Sequence, residues 1–131
     1  MVNRSPERGA PLVDLLTAKT RAKADLVIWN GSFAIPAGTD LVVNATSIGL
    51  GNGNAPLDIE VASLQPGMIV CDVIVDPPDT RFLRDAKAQG CTVVDGLGML
   101  VNQGVIGLKY WTGLDVDPAT MRQALVEIFG R

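Results

Sequence analysis

Cys91-Thr92-Val93-Val94 runs into Asp95-Gly96-Leu97-Gly98-Met99-Leu100-Val101-Asn102-Gln103-Gly104-Val105-Ile106-Gly107-Leu108-Lys109-Tyr110-Trp111-Thr112-Gly113. A β-type run, two glycines around Leu97 and a long apolar segment predict a strand, a tight turn and a helix. The apolar segment carries one uncharged polar pair, Asn102-Gln103, with Gln103 on the first turns of the helix. Two readings of Gln103 stand open. It points at a ligand over the strand ends, or it caps a neighbouring backbone group, and spacing alone favours the second.

The same alternation of strand and helix extends outward in both directions. Leu26-Val27-Ile28-Trp29, Leu41-Val42-Val43 and Met68 to Ile74 are short, near-continuous apolar runs that read as buried strands. Residues 1–4 read as the end of another strand. Glu7 to Lys23 carries Leu12, Val13, Leu15, Leu16 and Ala22 at helical spacing. Pro11 is expected in or near the first turn there, because a proline inside a helix costs about 3 kcal/mol. Leu57 to Leu64 is read as one or two helical turns. Asp79 or Thr80 can cap a helix that stops at Gly90. Asp117-Pro118 opens a last amphipathic helix with Met121, Leu125, Ile128 and Phe129 on one face. The fold class is α/β, with a parallel sheet covered on both faces.

Composition narrows the chemistry. The chain has 131 residues and a net charge of -3, enough for one domain with a core. No basic stripe points to nucleic acid, and no apolar run approaches the ~20 residues that span a bilayer. No signal peptide is read at Met1-Val2-Asn3-Arg4, so the expected location is cytoplasmic. Histidine is absent, which removes the commonest general base and most zinc sites; no metal is expected. Cys71 and Cys91 each lie in an apolar run and read as buried free thiols. Asp72 and Asp95 are candidates for proton transfer by charge only, and a structural role at a turn is the favoured reading of both.

Asn3-Arg4-Ser5-Pro6-Glu7-Arg8 lies between a strand and a helix. In a dinucleotide-binding fold the end of the second strand meets the adenosine ribose, where an acidic residue selects the free 2′-hydroxyl. Here two arginines stand four apart instead, and guanidinium groups suit a 2′-phosphate. The alternative is a solvated helix start, which the hexapeptide alone would favour.

Further segments change that balance. Asn3 to Arg8 is followed by Asp40-Leu41-Val42-Val43-Asn44-Ala45-Thr46-Ser47-Ile48-Gly49, then by Cys71-Asp72-Val73-Ile74-Val75-Asp76-Pro77-Pro78-Asp79-Thr80. Asp95 to Gln103 and Trp111-Thr112-Gly113 complete the order. Over essentially its whole length the chain resembles the C-terminal, cofactor-binding half of the shikimate/quinate 5-dehydrogenase family. The resemblance implies an NADP-dependent oxidoreductase of chorismate and aromatic amino acid biosynthesis that interconverts 3-dehydroshikimate and shikimate. It implies that Asn3, Arg4, Ser5 and Arg8 hold the adenosine 2′-phosphate end, with Ser5 where the family usually has threonine. It further implies that Asn44, Ala45, Thr46 and Ser47 line the cofactor's path. The resemblance also implies that Val73 and the turn from Gly96 to Met99 lie by the nicotinamide, with backbone carbonyls able to meet its amide. It implies that Gln103 contacts a substrate hydroxyl, which reverses the order of its two readings.

The departures are as informative. The lysine and aspartate that move protons in this family lie in an N-terminal substrate domain, so no catalytic residue is expected in this chain. The first strand and glycine-rich turn that cradle the pyrophosphate are also missing. Val75 stands where members specific for shikimate often carry tyrosine, so a shikimate-like, quinate-like or aminoshikimate-like ring all remain open. The expected architecture is a partial Rossmann-like, doubly wound sheet over residues 1–113 and a C-terminal helix over 114–131 that packs back toward the substrate domain.

In that sheet the first strand lies between the second and the fourth. Without it, the sheet splits or the fourth strand presents an unpaired apolar edge, which invites homodimerisation or aggregation. The chain is therefore expected to be a fragment or truncated frame, inactive alone. A small-molecule substrate would bind only with the missing domain. The rival reading is a non-catalytic remnant or assembly module that keeps the fold.

Overall fold

The computed structural model describes residues 1–130. They form two compact units, Met1–Ala34 and a second that begins at Ile35.

The first unit is a small βαβ crossover. β1 (Val2–Asn3) and β2 (Val27–Ile28) pair in parallel, Val2 opposite Val27 and Asn3 opposite Ile28, and α1 (Pro6–Lys19) connects them. Ser5 caps α1 by accepting from the Arg8 N–H at 3.3 Å, and Pro6 takes the first helical position, where its missing N–H costs nothing. That start places Pro11 inside α1 and not in its first turn, so the helix tolerates a proline at its sixth position. The helix also ends at Lys19, earlier than expected. The Thr20 hydroxyl donates to the Leu16 carbonyl at 2.7 Å and accepts from the Ala22 N–H at 3.0 Å, closing a local turn. Leu12, Leu15 and Leu16 are exposed, so the apolar face of α1 is left largely uncovered; the helix's buried residue is Gly9, set against Leu26 and Asn3.

The second unit is built on three parallel strands in the order β3 (Leu41–Asn44), β4 (Ile69–Asp72), β5 (Thr92–Val94). Val42, Val70 and Val93 share one register and one face; Leu41 and Ile69, and Val43, Cys71 and Val94, share the other. α2 (Arg81–Ala88) packs on β4 and β5 and buries Phe82, Leu83 and Ala86. Val70, Leu64 and Leu97 are among the most buried side chains of the core. The opposite face is open: Leu41 is 54 % exposed, Val43 49 %, Ile69 43 % and Val94 45 %. A parallel sheet is normally covered on both sides, so this face is incomplete. The split foreseen from the missing first strand is present, with β1 and β2 in one sheet and β3 at the edge of another.

β4 is shorter than its apolar run, because Asp72 Oδ1 accepts from the Ile74 N–H at 3.1 Å and turns the chain out of the ladder. Of the two candidates to cap α2, Thr80 does so, accepting from Leu83 N–H at 3.4 Å, and Gly90 follows with φ of 82°. Between Leu57 and Leu64 only a single 3-10 turn forms, Val61–Ser63. α3 (Gly96–Thr112) begins directly after β5 and ends at Gly113, whose φ is 73°. α4 (Pro118–Phe129) is capped by Asp117 as expected and packs on α3, with half-buried Met121, Leu125 and Phe129 along one face. Ile128, expected on that face, is exposed. Among the described residues no helix is long and apolar enough to cross a membrane.

Candidate functional site at the strand ends

The parallel register of the second unit brings the carboxyl ends of β3, β4 and β5 to one side, the usual place for a ligand in an open α/β sheet. Buried polar groups organise this edge. Asn44 and Asp72 are each 3 % exposed and Thr80 2 %. Asp72 Oδ1 accepts from Asn44 Nδ2 at 3.1 Å, and Asp72 Oδ2 accepts from the Thr80 hydroxyl at 2.7 Å. Asn44 Nδ2 also donates to the Ile48 carbonyl at 3.2 Å. Asn44 Oδ1 accepts from the Thr46 N–H at 3.1 Å and from its hydroxyl at 2.7 Å. The Thr46 hydroxyl in turn accepts from the Ile48 N–H at 3.1 Å.

These bonds sort the residues expected to line the cofactor's path. Asn44 and Thr46 spend their side chains on the turn itself. Ala45 and Ser47 face solvent, and neither the Ser47 N–H nor its hydroxyl has a partner among the described residues. Two adjacent free donors at a strand end form a surface that can meet an oxygen-rich ligand.

Val73 and Gly96 are brought together. The Val73 N–H donates to the Asn44 carbonyl at 3.1 Å, and a Cβ built on Gly96 would collide with the backbone carbonyl of Ile74. Glycine is what lets α3 start this close to β4. The segment from Gly96 to Met99 corrects one expectation: it is the first turn of α3, not a separate tight turn. Its carbonyls point along the helix toward the N–H groups four residues on. Asp95 caps this turn, accepting from Leu97 N–H at 3.1 Å and Gly98 N–H at 3.3 Å.

Asp95 also forms a two-pronged ion pair with Arg122 of α4, one arm at 3.2 Å. Partial burial pushes the Asp95 carboxyl up, but Arg122 and the Gly98 and Leu97 amides outweigh it and hold the group below its ordinary value. Asp95 stands at a strand end as expected; the pair joins residues 27 apart, so no local pattern in the sequence singles out Arg122.

Met99 and Gln103 stand one turn apart on the exposed side of α3, in line with exposed Ile106 and Tyr110. Gln103 makes no side-chain hydrogen bond among the described residues, so it does not cap a neighbouring backbone group.

In the first unit, Asn3 Oδ1 accepts from the Ser5 N–H at 2.9 Å, and the Ser5 hydroxyl donates to Glu7 at 2.8 Å. That hydroxyl contact and a backbone N–H hold the Glu7 carboxyl below its ordinary value. Asn3 and Ser5 thus shape the helix entry. Arg4 and Arg8 are exposed, with no ion-pair partner among the described residues. Two free guanidinium groups beside a helix N-terminus suit a phosphate. Burial pushes both thiols, Cys71 and Cys91, up, and neither is in a disulfide. Among the described residues no cluster of His, Cys, Asp or Glu could hold a metal ion.

Residues 96–126 match the Shikimate 5′-dehydrogenase C-terminal domain. Shikimate dehydrogenase (NADP(+)) of Desulfitobacterium hafniense strain Y51 is 38 % identical over 128 residues, covering 97 % of this chain and 45 % of the relative. Among solved structures, ligand-free 5-ketofructose reductase of Gluconobacter sp. strain CHM43 is 52 % identical, with a TM-score of 0.94 over 98 % of this chain and 46 % of that one. A shikimate dehydrogenase in complex with NADP+ is 27 % identical, with a TM-score of 0.87 over 99 % of this chain and 46 % of that one. The chain spans about half the length of the curated relatives it matches. It belongs to the shikimate dehydrogenase family and corresponds to that family's C-terminal half.

Proposed function

We propose that the chain is the cofactor-binding half of an NADP-dependent oxidoreductase that interconverts a ring ketone and its alcohol, 3-dehydroshikimate and shikimate. The observation that carries this reading is the pair of unpartnered guanidinium groups at the start of α1, Arg4 and Arg8, in a chain similar to enzymes named for NADP(+). They meet the adenosine 2′-phosphate, with Asn3 and Ser5 fixing the backbone from which they project. Ser47 offers its N–H and hydroxyl to the cofactor, while Asn44, Ala45 and Thr46 form the turn that presents it. Val73 and the Gly96–Met99 turn form a wall beside the nicotinamide. Met99 and Gln103 point outward from α3, and Gln103 holds a substrate hydroxyl. Bound NADP supplies the hydride. The residues that move the proton belong to a further substrate-binding part, toward which the 114–131 segment packs, and without that part the chain is inactive.

A second reading of the substrate follows from the 52 % identity to 5-ketofructose reductase, higher than to any shikimate dehydrogenase cited above. Val75, where a tyrosine often marks shikimate specificity, agrees with it. On this reading the carbonyl reduced is that of a keto sugar, and Gln103 meets a sugar hydroxyl.

Titration with NADPH and NADH, followed by fluorescence of Trp29 and Trp111, tests cofactor binding. Tighter binding of NADPH supports the reading; a folded chain that binds neither supports the non-catalytic remnant. Mixing the chain with a separately expressed N-terminal half of a relative tests the reaction. Turnover of shikimate with NADP+ supports the first substrate, and NADPH-dependent reduction of 5-ketofructose supports the second.

A further inference from the structure

We propose that Asp72 is a positioning residue for the ligand-facing turn Ala45–Ile48, acting through the side chain of Asn44; this rests on the cofactor role proposed for Ser47. A carboxylate only accepts hydrogen bonds, so the Asn44 atom that faces Asp72 Oδ1 at 3.1 Å is its amide nitrogen. That contact, together with the Ile48 carbonyl that takes the same nitrogen at 3.2 Å, fixes which way the amide is turned. Asn44 Oδ1 is then the acceptor aimed at Thr46, taking both its N–H and its hydroxyl. Because the Thr46 hydroxyl proton is spent on Asn44, its oxygen accepts from the Ile48 N–H. Each bond sets the direction of the next, and the chain of bonds ends with Ser47 held outward, its two donors free. With the amide turned the other way, Asn44 would put two donors toward Thr46 and the turn would lose its acceptor.

The opposite arm of Asp72 gives an internal control. Thr80 donates to Oδ2 at 2.7 Å and caps α2, on the side of Asp72 away from Asn44. A residue that only stabilises the core would transmit both losses alike. A residue that aims the turn transmits the loss of its Oδ1 arm, which takes both Asn44 Nδ2 and the Ile74 N–H, and not the loss of its Oδ2 arm.

The test compares D72A, D72N and T80V in the full chain, by amide hydrogen exchange without ligand and by NADPH titration. D72A is expected to speed exchange at the Thr46 and Ile48 amides about tenfold beyond T80V, measured against the strand amides of Val70 and Val93. It is expected to weaken NADPH binding by a similar factor. D72N keeps an oxygen that accepts from Asn44 and restores both readouts. Equal exchange at Thr46 and Ile48 in D72A and T80V, or no restoration in D72N, overturns the proposal. Failure of the wild-type chain to bind NADPH refutes the cofactor reading alone, since exchange in the unliganded chain still decides the positioning role. Should D72A not fold, the wild-type Asn44 side-chain amide carries the test: slow exchange supports the proposal, and exchange at the rate of a free amide overturns it.

Discussion

Replacing glycine by alanine at two positions of α3 should shift stability in opposite directions. At Gly107 an added Cβ meets nothing within 4 Å. Alanine there removes backbone freedom from the unfolded chain and favours the helix, a gain of about 0.5–1 kcal/mol. At Gly96 the added Cβ would lie 2.7 Å from the carbonyl carbon of Ile74 and 2.9 Å from that of Val73. These are backbone atoms of the segment leaving β4, so no side chain can rotate away. Overpacking of this kind costs about 1–3 kcal/mol, and the helix gain at a first-turn position offsets only part of it. The expected net effect of G96A is a loss of roughly 1–2 kcal/mol. With a urea slope of about 1–1.5 kcal/mol/M, the midpoints of G107A and G96A should differ by about 1–3 M in a circular-dichroism unfolding series. G96A as stable as the wild type would refute the argument that glycine is needed for α3 to approach β4.

Three further outcomes are expected. Loss of the Asp95 cap in D95A should cost about 1 kcal/mol or more at pH 7, whereas R122A, removing one half-exposed ion pair, should cost about 0–1 kcal/mol. Because the Asp95 carboxyl is held below its ordinary value in the folded chain, its contribution is present above the unfolded value and lost as pH falls through the folded one. The stability gap between wild type and D95N should therefore close on acidification, and a gap that widens below pH 4 counts against the assignment. Replacing Arg4 and Arg8 together by alanine should weaken NADPH by about a hundredfold or more while leaving NADH little changed, since each charge-assisted phosphate contact is worth about 1.5–3 kcal/mol; calorimetric titration of both nucleotides reads this. The open sheet face should drive concentration-dependent association, detectable by sedimentation velocity, and V43K with I69K should shift the chain toward monomer. A wild-type chain monomeric at every concentration would argue that this face does not associate.

The elements legible in the sequence were those fixed by local chemistry. Asp117-Pro118 and Thr80 cap their helices by direct side-chain bonds to the next turn, and Gly90 and Gly113 end helices through positive φ. The order of apolar runs also carried the parallel pairing and the division into two sheets. Less legible were the limits of elements. Asp72 stops β4 two residues before its apolar run ends, and Thr20 stops α1 early, each by a side-chain hydrogen bond that competes with the regular ladder. The first turn of α3 was misread because Gly96 and Gly98 look like turn residues; Asp95 instead caps them into a helix.

By itself, then, the sequence determined the α/β class, the family half and the residues worth suspecting, since capping, periodicity and motif order are properties of neighbours along the chain. Tertiary structure alone decided what each suspect touches. Asn44 bonds Asp72, 28 residues away, and Thr46 bonds Asn44, while Ser47 faces solvent. Arg122 reaches Asp95 across 27 residues. Gln103 is left unbonded on an exposed stripe of α3. Such roles depend on which distant groups meet and which hydrogen bonds are already spent, and only the folded arrangement sets that.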